Sequence, residues 1–400
     1  MLVSEPEVIT RLAAKGDGVT QSGRHVKGAL PGDMVSQDGA IKAGPHRIKP
    51  PCQHFGACGG CQLQHADEET LRAFVTERVV NAAKGQGIEA SQLLDTHLSP
   101  PSSRRRATLH AVRVQKGLVF GFREAGSHRI VDMTQCHILA PELEESLGPI
   151  KDLVSTLTGK GAIDVGLSLC DQGLDLSIGR VALDGLAANE KLLEFARDTK
   201  TARVSVDQGF GPEVVWEPEP VTITLSGVPV PMPVAAFLQA TRDAEAGMLA
   251  DVLAWLEGAG AVVDLFAGLG TFAMALREGR KVLAVEADRA AHLACKAAAA
   301  RAPGQVYTLH RDLFRSPLQP SELERFHAVV LDPPRAGAKA QIAQIADSQL
   351  SRVAYVSCNP SSWSRDAATL VEAGFRLEEL RPVGQFRWST HVELVSLFTR

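Results

Sequence analysis

From about residue 235 onward, short apolar runs alternate with stretches of helical character, and no other feature constrains the fold as tightly. The runs "AVVDLF", "KVLAVEA", "HAVVLD" and "RVAYVSC" have the length and β-branched content of buried strands. Between them, "GTFAMALREG" and "DRAAHLACKAAAARA" predict helices. Strands apolar along their whole length and separated by helices require a parallel sheet covered on both faces. The tail "RLEELRPVGQFRWSTHVELVSLFTR" predicts two closing strands joined by a loop. An α/β unit is therefore expected over 235–400.

The front of the chain has a different grammar. Its first fifty residues set short apolar runs between "KGDG", "SG" and "PGD" turns, which predicts a small β-barrel over 1–50. "PHRIKPPC" then breaks all regular structure. Residues 67–85, "DEETLRAFVTERVVNAAKG", predict a helix with an Asp start and a Gly stop. From about 104 to 232 the pattern is mostly strands and turns, so a β-rich central domain is expected over 51–66 and 96–234. The 67–85 helix, with its flank to residue 95, is assigned to the α/β unit. A length of 400 residues accommodates this division.

Composition excludes several classes. No window approaches 18 uninterrupted apolar residues, and the N-terminus "MLVSEPEVITR" lacks a basic region followed by an apolar core. A cytoplasmic protein with no membrane association is expected. Seven cysteines, an odd number, argue against a secreted disulfide framework. Residues 1–136 hold 17 Lys+Arg against 13 Asp+Glu, a balance of +4, and the remainder carries −8. A basic front and an acidic back are compatible with a nucleic-acid contact at the front, but the excess is too small to decide anything.

The stretch "DLFAGLGTF" (264–272) follows the first strand of the α/β half. Gly268 and Gly270 let the backbone turn tightly at a helix N-terminus, and Glu286 ends the next strand about twenty positions on, a placement that suits two ribose hydroxyls. The loop has neither a strict G-x-G-x-x-G nor a Walker lysine, so a nucleoside cofactor without pyrophosphate is expected, and S-adenosylmethionine fits. The cofactor-binding set from this region is Asp264, Phe266, Gly268, Gly270 and Glu286.

In open α/β sheets ligands sit at the carboxyl ends of the strands. One strand ends in "LDPPRAG", with Asp332 at its tip, and the next in "SCNPSSWSRD", with Cys358 at its tip. A strand-end cysteine is often mere packing and a strand-end Asp a helix cap. Beside a methyl-donor pocket, a carboxylate and a thiol at adjacent strand ends form a reactive pair, and Asp332 also counts as a cofactor contact.

A second set of thiols lies earlier. "CQHFGACGGCQL" brings Cys52, Cys58 and Cys61 close in sequence, and "DMTQCHIL" adds Cys136. Four such ligands fit zinc or a [4Fe–4S] cluster, and the spacing alone leaves both open. Cys170 and Cys295 belong to no pattern and are expected to be buried fillers.

In "DLFAGLGTF", "LDPPRAG", "SCNPSSWSRD" and the closing "THVELV", taken in this order, the chain resembles the class I S-adenosylmethionine-dependent RNA 5-methyluridine methyltransferases. The resemblance is strongest to bacterial 23S rRNA uracil-5 members, and it extends over nearly the whole chain. It implies a Rossmann-like class I methyltransferase domain behind an N-terminal TRAM barrel (OB-like) and a central iron–sulfur domain. It also implies that Cys358 adds to C6 of uracil, making C5 nucleophilic, and that Glu393 later removes the C5 proton. Asp332 would hold the uracil edge, Gln239 would contact cofactor or base, and Cys52, Cys58, Cys61 and Cys136 would hold a [4Fe–4S] cluster of structural role. Asp312 follows the next strand and is expected either to meet the adenine or to cap a helix. Where the family reads F-x-Q-x-N, this chain has Thr241, and where the family often has Cys, it has Ala267. A free thiol is only a few per cent ionised at pH 7, so the site is expected to lower the Cys358 pKa.

For RNA contact the candidates are Arg104, Arg105, Arg106, Arg123 and Arg129, with Phe386 and Trp388 as stacking platforms. The target uridine must be unpaired or flipped out. A monomer acting on 23S rRNA is expected. The rivals are a tRNA uracil-54 enzyme, which typically lacks the barrel and the cluster cysteines, and a non-catalytic RNA-binding protein with a degenerate methyltransferase domain.

Overall fold

The computed structural model describes residues 5–115, 117–183 and 185–400, without the side chains of 158–160. Its largest sheet contains the apolar runs of the C-terminal half. In chain order these strands are β1 (Ala261–Leu265), β2 (Lys281–Glu286), β3 (Gln305–His310), β4 (Ala328–Leu331), β5 (Arg352–Ser357), β6 (Arg376–Gly384) and β7 (Glu393–Thr399). In space they run β3-β2-β1-β4-β5-β7-β6, and the short strands Gln92–Leu93 and His97–Leu98 extend the sheet beyond β6. The first five are mutually parallel, and β7 inserts antiparallel between β5 and β6.

Burial explains why these strands read as continuous apolar runs. All of β4 is buried, as is β5 beyond its first residue and β7 up to its last, because helices cover both faces. β3, at the edge, is the most exposed. Behind β5, the Trp363 indole donates to Ser396 Oγ at 3.0 Å and the Tyr355 hydroxyl to Asp366 Oδ2 at 2.6 Å. Large core side chains with a polar tip are thus satisfied without reaching water.

Among the described residues, the front part of the chain forms two larger sheets and a two-stranded one, Thr222–Leu225 with Val228–Pro231. Residues Glu7–Lys42 make a five-stranded antiparallel sheet with a small core of Ile9, Val26, Ala29 and Val35. A six-stranded sheet follows, in the order Pro212–Trp216, Arg203–Asp207, Gly173–Ala182, Thr158–Cys170, Arg106–Val114, Gly117–Gly121. The helix expected at 67–85 spans Glu68–Lys84; Asp67 caps it by accepting from Thr70 N, and Gly85 ends it.

The central region departs from expectation by containing helices Pro141–Glu145, Leu147–Thr156 and Leu186–Asp198. Gly148 and Pro149 disguised the second as a turn. Pro149 is tolerated because it falls in the first turn, where its missing N–H costs nothing, and Leu147, Ile150, Leu153 and Val154 are buried at helical spacing.

Candidate active site

The segment "SCNPSSW" is a strand-to-helix hinge. Ser357 ends β5, Asn359 caps the next helix by accepting from Ser361 N at 3.1 Å, and Pro360 occupies its first position. Cys358 and the capping Asn359 are the two residues between strand and helix. Cys358 therefore emerges at the carboxyl edge of the sheet.

Asp332 follows β4 at the same edge. Because β7 runs antiparallel to β5, with Ser357 opposite Leu394, the start of β7 brings Glu393 there as well. The fold thus gathers Cys358, Asp332 and Glu393 from three neighbouring strands that the sequence separates. Their mutual electrostatics confirm the proximity. Burial pushes the Glu393 carboxyl up to about 7, opposed by a side-chain hydrogen bond from Gln385 and by the Arg106 charge. Burial pushes Asp332 well above the carboxylate range, and the nearby Glu393 and Asp264 add to it.

The Cys358 thiol is pushed up to about 11, first by burial and then by Glu393 and Asp332, with Arg335 opposing. The expected depression of this pKa is overturned for the protein on its own. Two carboxylates and a partly dry pocket disfavour a thiolate more than one guanidinium favours it.

Four residues around this trio were not singled out by sequence. Gln385 donates to Gln239 Oε1 at 3.1 Å, and Gln239 Nε2 donates to Asp332 Oδ2 at 2.8 Å. Arg335 holds the loop after Asp332 by receiving hydrogen bonds on its carbonyl from Asn359 Nδ2 (2.8 Å) and Ser362 Oγ (3.0 Å). Arg335 Nη1 also lies 3.4 Å from the imidazole Nδ1 of His391. Leu238 fixes Arg106 by accepting on its carbonyl. A glutamine, and an arginine inside a known-looking motif, carry no local signal that would have marked them.

The Gly-rich loop lies between β1 and the helix Thr271–Leu276. Phe266 adopts φ +61 and Gly270 φ +92; a Cβ on Gly270 would stand 2.8 Å from Cys295 Sγ. A non-glycine residue held in this region marks strain retained at the turn. Asp264 is fully buried and pushed up to about 8; its Oδ2 accepts from Ala273 N at 2.8 Å, while Oδ1 has no partner. Glu286 accepts from Gly268 N at 2.8 Å and Asp288 N at 2.6 Å, and each oxygen keeps a lone pair for a hydroxyl. An orphaned buried acceptor among carboxylates suits a ligand carrying a sulfonium and an ammonium, so these residues fit S-adenosylmethionine. Asp312 accepts from Phe314 N (2.9 Å) and Arg315 N (3.3 Å), so it caps a turn, and Phe314 packs on Phe266 with centroids 5.5 Å apart. Thr241 caps the helix Arg242–Trp255 by accepting from Ala244 N, a task Asn performs equally well.

Cys52, Cys58, Cys61 and Cys136 line one cavity, together with Gln64 and Arg104. Burial pushes the Cys61 thiol up to about 12 and raises Cys58 and Cys136. Among the described residues, no three cysteine sulfurs lie within 4.8 Å of one another. Thiolates on one zinc ion sit roughly 4 Å apart, from Zn–S bonds of about 2.3 Å in a tetrahedron. The cavity thus collects the four residues without presenting a closed zinc cage. The group that does converge is His46, Asp67 and Glu69, where His46 Nδ1 and Asp67 Oδ2 are 2.9 Å apart at the start of the Glu68–Lys84 helix. Cys170 and Cys295 are buried, as expected of fillers.

Two proposed RNA contacts are corrected. Arg105 is 3 % exposed and committed inward: Nε donates to the Gln239 carbonyl at 2.9 Å, and the guanidinium pairs with Glu245. Trp388 is 6 % exposed and packed in the core, while its carbonyl receives the N–H groups of Gln62 and Leu63, so it offers no face for stacking. Phe386 is half-buried under the Arg104 guanidinium, 5.3 Å from its ring centre. Phe237 is 60 % exposed, with the Arg106 guanidinium 4.5 Å over its ring. Arg123 and Arg129 are exposed.

Residues 232–400 match the model of the tRNA (uracil-5-)-methyltransferase family. An uncharacterized RNA methyltransferase of Zymomonas mobilis is 46% identical over 98% of this chain and 99% of its own length. The 23S rRNA (uracil(1939)-C(5))-methyltransferase RlmD of Erwinia tasmaniensis is 31% identical over 90% of this chain and 84% of its own. In fold, the tRNA (uracil-54, C5)-methyltransferase of Pyrococcus abyssi, solved with S-adenosyl-L-homocysteine, superposes with a TM-score of 0.77 at 20% identity, covering 98% of this chain and 100% of that one. The chain belongs to the RNA (uracil-5-)-methyltransferase family and is an S-adenosylmethionine-dependent enzyme of that kind.

Proposed function

We propose that this enzyme methylates C5 of a uridine in 23S rRNA through a covalent bond between Cys358 Sγ and uracil C6. The carrying observation is the meeting of Cys358, Glu393 and Asp332 at one edge of the sheet, beside the Gly-rich loop. S-adenosylmethionine, held by Asp264, Phe266, Gly268, Gly270 and Glu286, with Gln239, Asp312 and Asp332 bordering it, supplies an electrophilic methyl group. Cys358 gives up its proton to solvent as Sγ bonds to C6, and the C5–C6 double-bond electrons become available at C5, which takes the methyl as that group's bond to the sulfonium sulfur breaks. After C5 gains the methyl, Glu393 takes the C5 proton, the double bond re-forms and the Cys358 Sγ–C6 bond breaks. Asp332 holds the ring while this happens.

The 23S substrate is supported by the Erwinia relative, whose similarity extends over most of both chains. Residues 1–50 act as a TRAM-like RNA-binding barrel, 51–66 with 96–234 as the central domain, and 67–95 with 235–400 as the methyltransferase domain. Phe237, Arg106, Arg123 and Arg129 meet the RNA. Cys52, Cys58, Cys61 and Cys136, which line one cavity, would hold a [4Fe–4S] cluster in a structural role. One cytoplasmic chain suffices, since a single copy supplies the whole pocket.

The test incubates anaerobically purified protein with methyl-labelled S-adenosylmethionine and unmodified bulk RNA, with Cys358→Ala as control, and maps label by nucleotide. Label in 5-methyluridine of the large rRNA, absent in the control, is the expected result. Label in tRNA would transfer the substrate to the tRNA uracil-54 reading, and none in either would sink the proposal. Glu393→Gln is expected to accumulate a denaturant-resistant protein–RNA adduct; normal turnover would remove Glu393 as the base.

A further inference from the structure

Gln385 is 2 % exposed and lies just beyond β6. Its side chain sits between two acidic groups of the pocket. Its Oε1 accepts the backbone N–H of Ala240 at 2.9 Å. A backbone N–H can only donate, so this contact decides which end of the Gln385 amide is oxygen. The Nε2 end must then donate, and it faces Gln239 Oε1 at 3.1 Å. Glu393 receives a hydrogen bond from the same side chain.

The order propagates. Gln239, 4 % exposed, cannot turn its amide over without setting its Nε2 against the Nε2 of Gln385. It therefore presents Nε2 to Asp332 Oδ2, at 2.8 Å. One backbone N–H thus orients two buried amides, and through them assigns a donor to each carboxylate. Arg105 keeps that N–H in place: its own N–H donates to the Ala240 carbonyl at 2.9 Å, and its Nε donates to the Gln239 carbonyl. The arginine that sequence assigned to RNA instead anchors the segment on which the relay depends.

We propose that Gln385 is a positioning residue for the methyl-transfer reaction: it locks Gln239 as a donor to Asp332 and gives Glu393 an N–H donor that keeps it available as a base. This rests on the covalent route proposed above. With Oδ2 taken by Gln239, Asp332 meets the uracil edge with its remaining oxygen only. Glu393 keeps its acceptor capacity for the C5 proton because Gln385 favours its ionised form. The charged and titratable groups that face Glu393 are Arg106 from the central sheet, Asp332 after β4 and Cys358 after β5; Arg335 and His391 stand behind them. A change at Gln385 reaches Asp332 only through Gln239.

Gln385→Glu keeps the length and the acceptor for Ala240 but replaces both N–H donors with an oxygen. Gln385→Met keeps the approximate volume and removes all polarity. The experiment follows decay of the denaturant-resistant adduct with pH for wild type and both variants, alongside S-adenosylmethionine affinity and thermal midpoint. Adduct is expected to form in all three. Its resolution is expected to slow at least tenfold in Gln385→Met, and its pH midpoint to move upward by about one unit in Gln385→Glu, with the cofactor affinity of both within threefold of wild type. A purely structural role would lower the thermal midpoint and leave the pH midpoint where it was. Adducts that resolve with the wild-type rate and midpoint in both variants overturn the inference and leave the covalent route standing. If wild type forms no adduct while it methylates RNA, the covalent route fails and the inference fails with it.

Discussion

The pocket at the ends of β4, β5 and β7 and the cavity lined by Cys52, Cys58, Cys61 and Cys136 both bury thiols, and both raise them: Cys358 to about 11 and Cys61 to about 12. They differ in what surrounds the sulfur. In the pocket, Asp332, Gln239, Gln385 and Glu393 are already joined by hydrogen bonds, so the geometry stands before substrate arrives. In the cavity, the four cysteines share the lining with residues such as Phe55, Phe122, Met133, Gln64 and Arg104, and no three of the sulfurs converge. The first site is organised by the protein. The second would be completed by the proposed cluster, so removing one cysteine should cost stability there, whereas removing Cys358 should cost chemistry.

The sharpest way to break this contrast is to remove one sulfur from each site. Cys358→Ala should lower methyl transfer at least about a thousandfold with the thermal midpoint nearly unchanged, measured by label incorporation and calorimetry. If the cavity holds the proposed cluster, Cys61→Ser should do the reverse, lowering iron content and visible absorbance and costing on the order of 3 kcal/mol of stability or more, because binding energy at such a site is folding energy. Equal stability losses in the two variants would erase the distinction.

The pocket's organisation also predicts a pH response. The Glu393 carboxyl is raised to about 7 and must be ionised to take the C5 proton, so adduct resolution should rise with pH through about 7. A profile flat from pH 6 to 8 would remove Glu393 from that step.

Gly270→Ala extends the comparison to the cofactor loop. It places a Cβ 2.8 Å from Cys295 Sγ at φ +92, and should cost about 1–3 kcal/mol and weaken S-adenosylmethionine binding. Adding Cys295→Ala relieves the contact but not the dihedral, so only part of the loss should return, as read by calorimetric titration.

The smallest effect lies outside both sites. His97 Nε2 pairs with Asp243 Oδ2 at 2.7 Å, tying an edge strand to the helix Arg242–Trp255, and holds the Asp243 carboxyl down at about 2 despite partial burial. A depressed carboxyl contributes stability above its unfolded value, near 4, and loses it as pH falls through about 2. Asp243→Asn should therefore cost about 1 kcal/mol at pH 7, after allowance for solvent screening, and almost nothing near pH 2. Equal losses in denaturant melts at both pH values would show that the pair contributes through packing alone.

Much of the catalytic half was legible because its evidence is local. Strands buried on both faces must be apolar throughout, and Asn359 with Pro360 announces a helix start directly after a strand, so Cys358 had to emerge at the sheet edge. The central helices were hidden by Gly148 and Pro149, residues that mark turns except in a helix's first turn. "SSRRRATLH" looks like a phosphate-binding edge, yet Arg105 meets Glu245, a partner 140 positions away. Trp388 was misassigned for the same reason: an aromatic residue in a loop shows no sign of the core that will close over it.

Sequence by itself determined the parallel sheet and the Gly-rich turn after its first strand, and it singled out the candidate reactive groups, since those depend on periodicity and on residue chemistry within short windows. Only the tertiary structure decided that the thiol is raised instead of lowered, that Arg105 turns inward, and that Gln385 stands between two carboxylates. Each of those outcomes depends on desolvation and on partners brought together by strand order. A hydrogen bond between residues 239 and 385 becomes visible only once β7 has inserted beside β5.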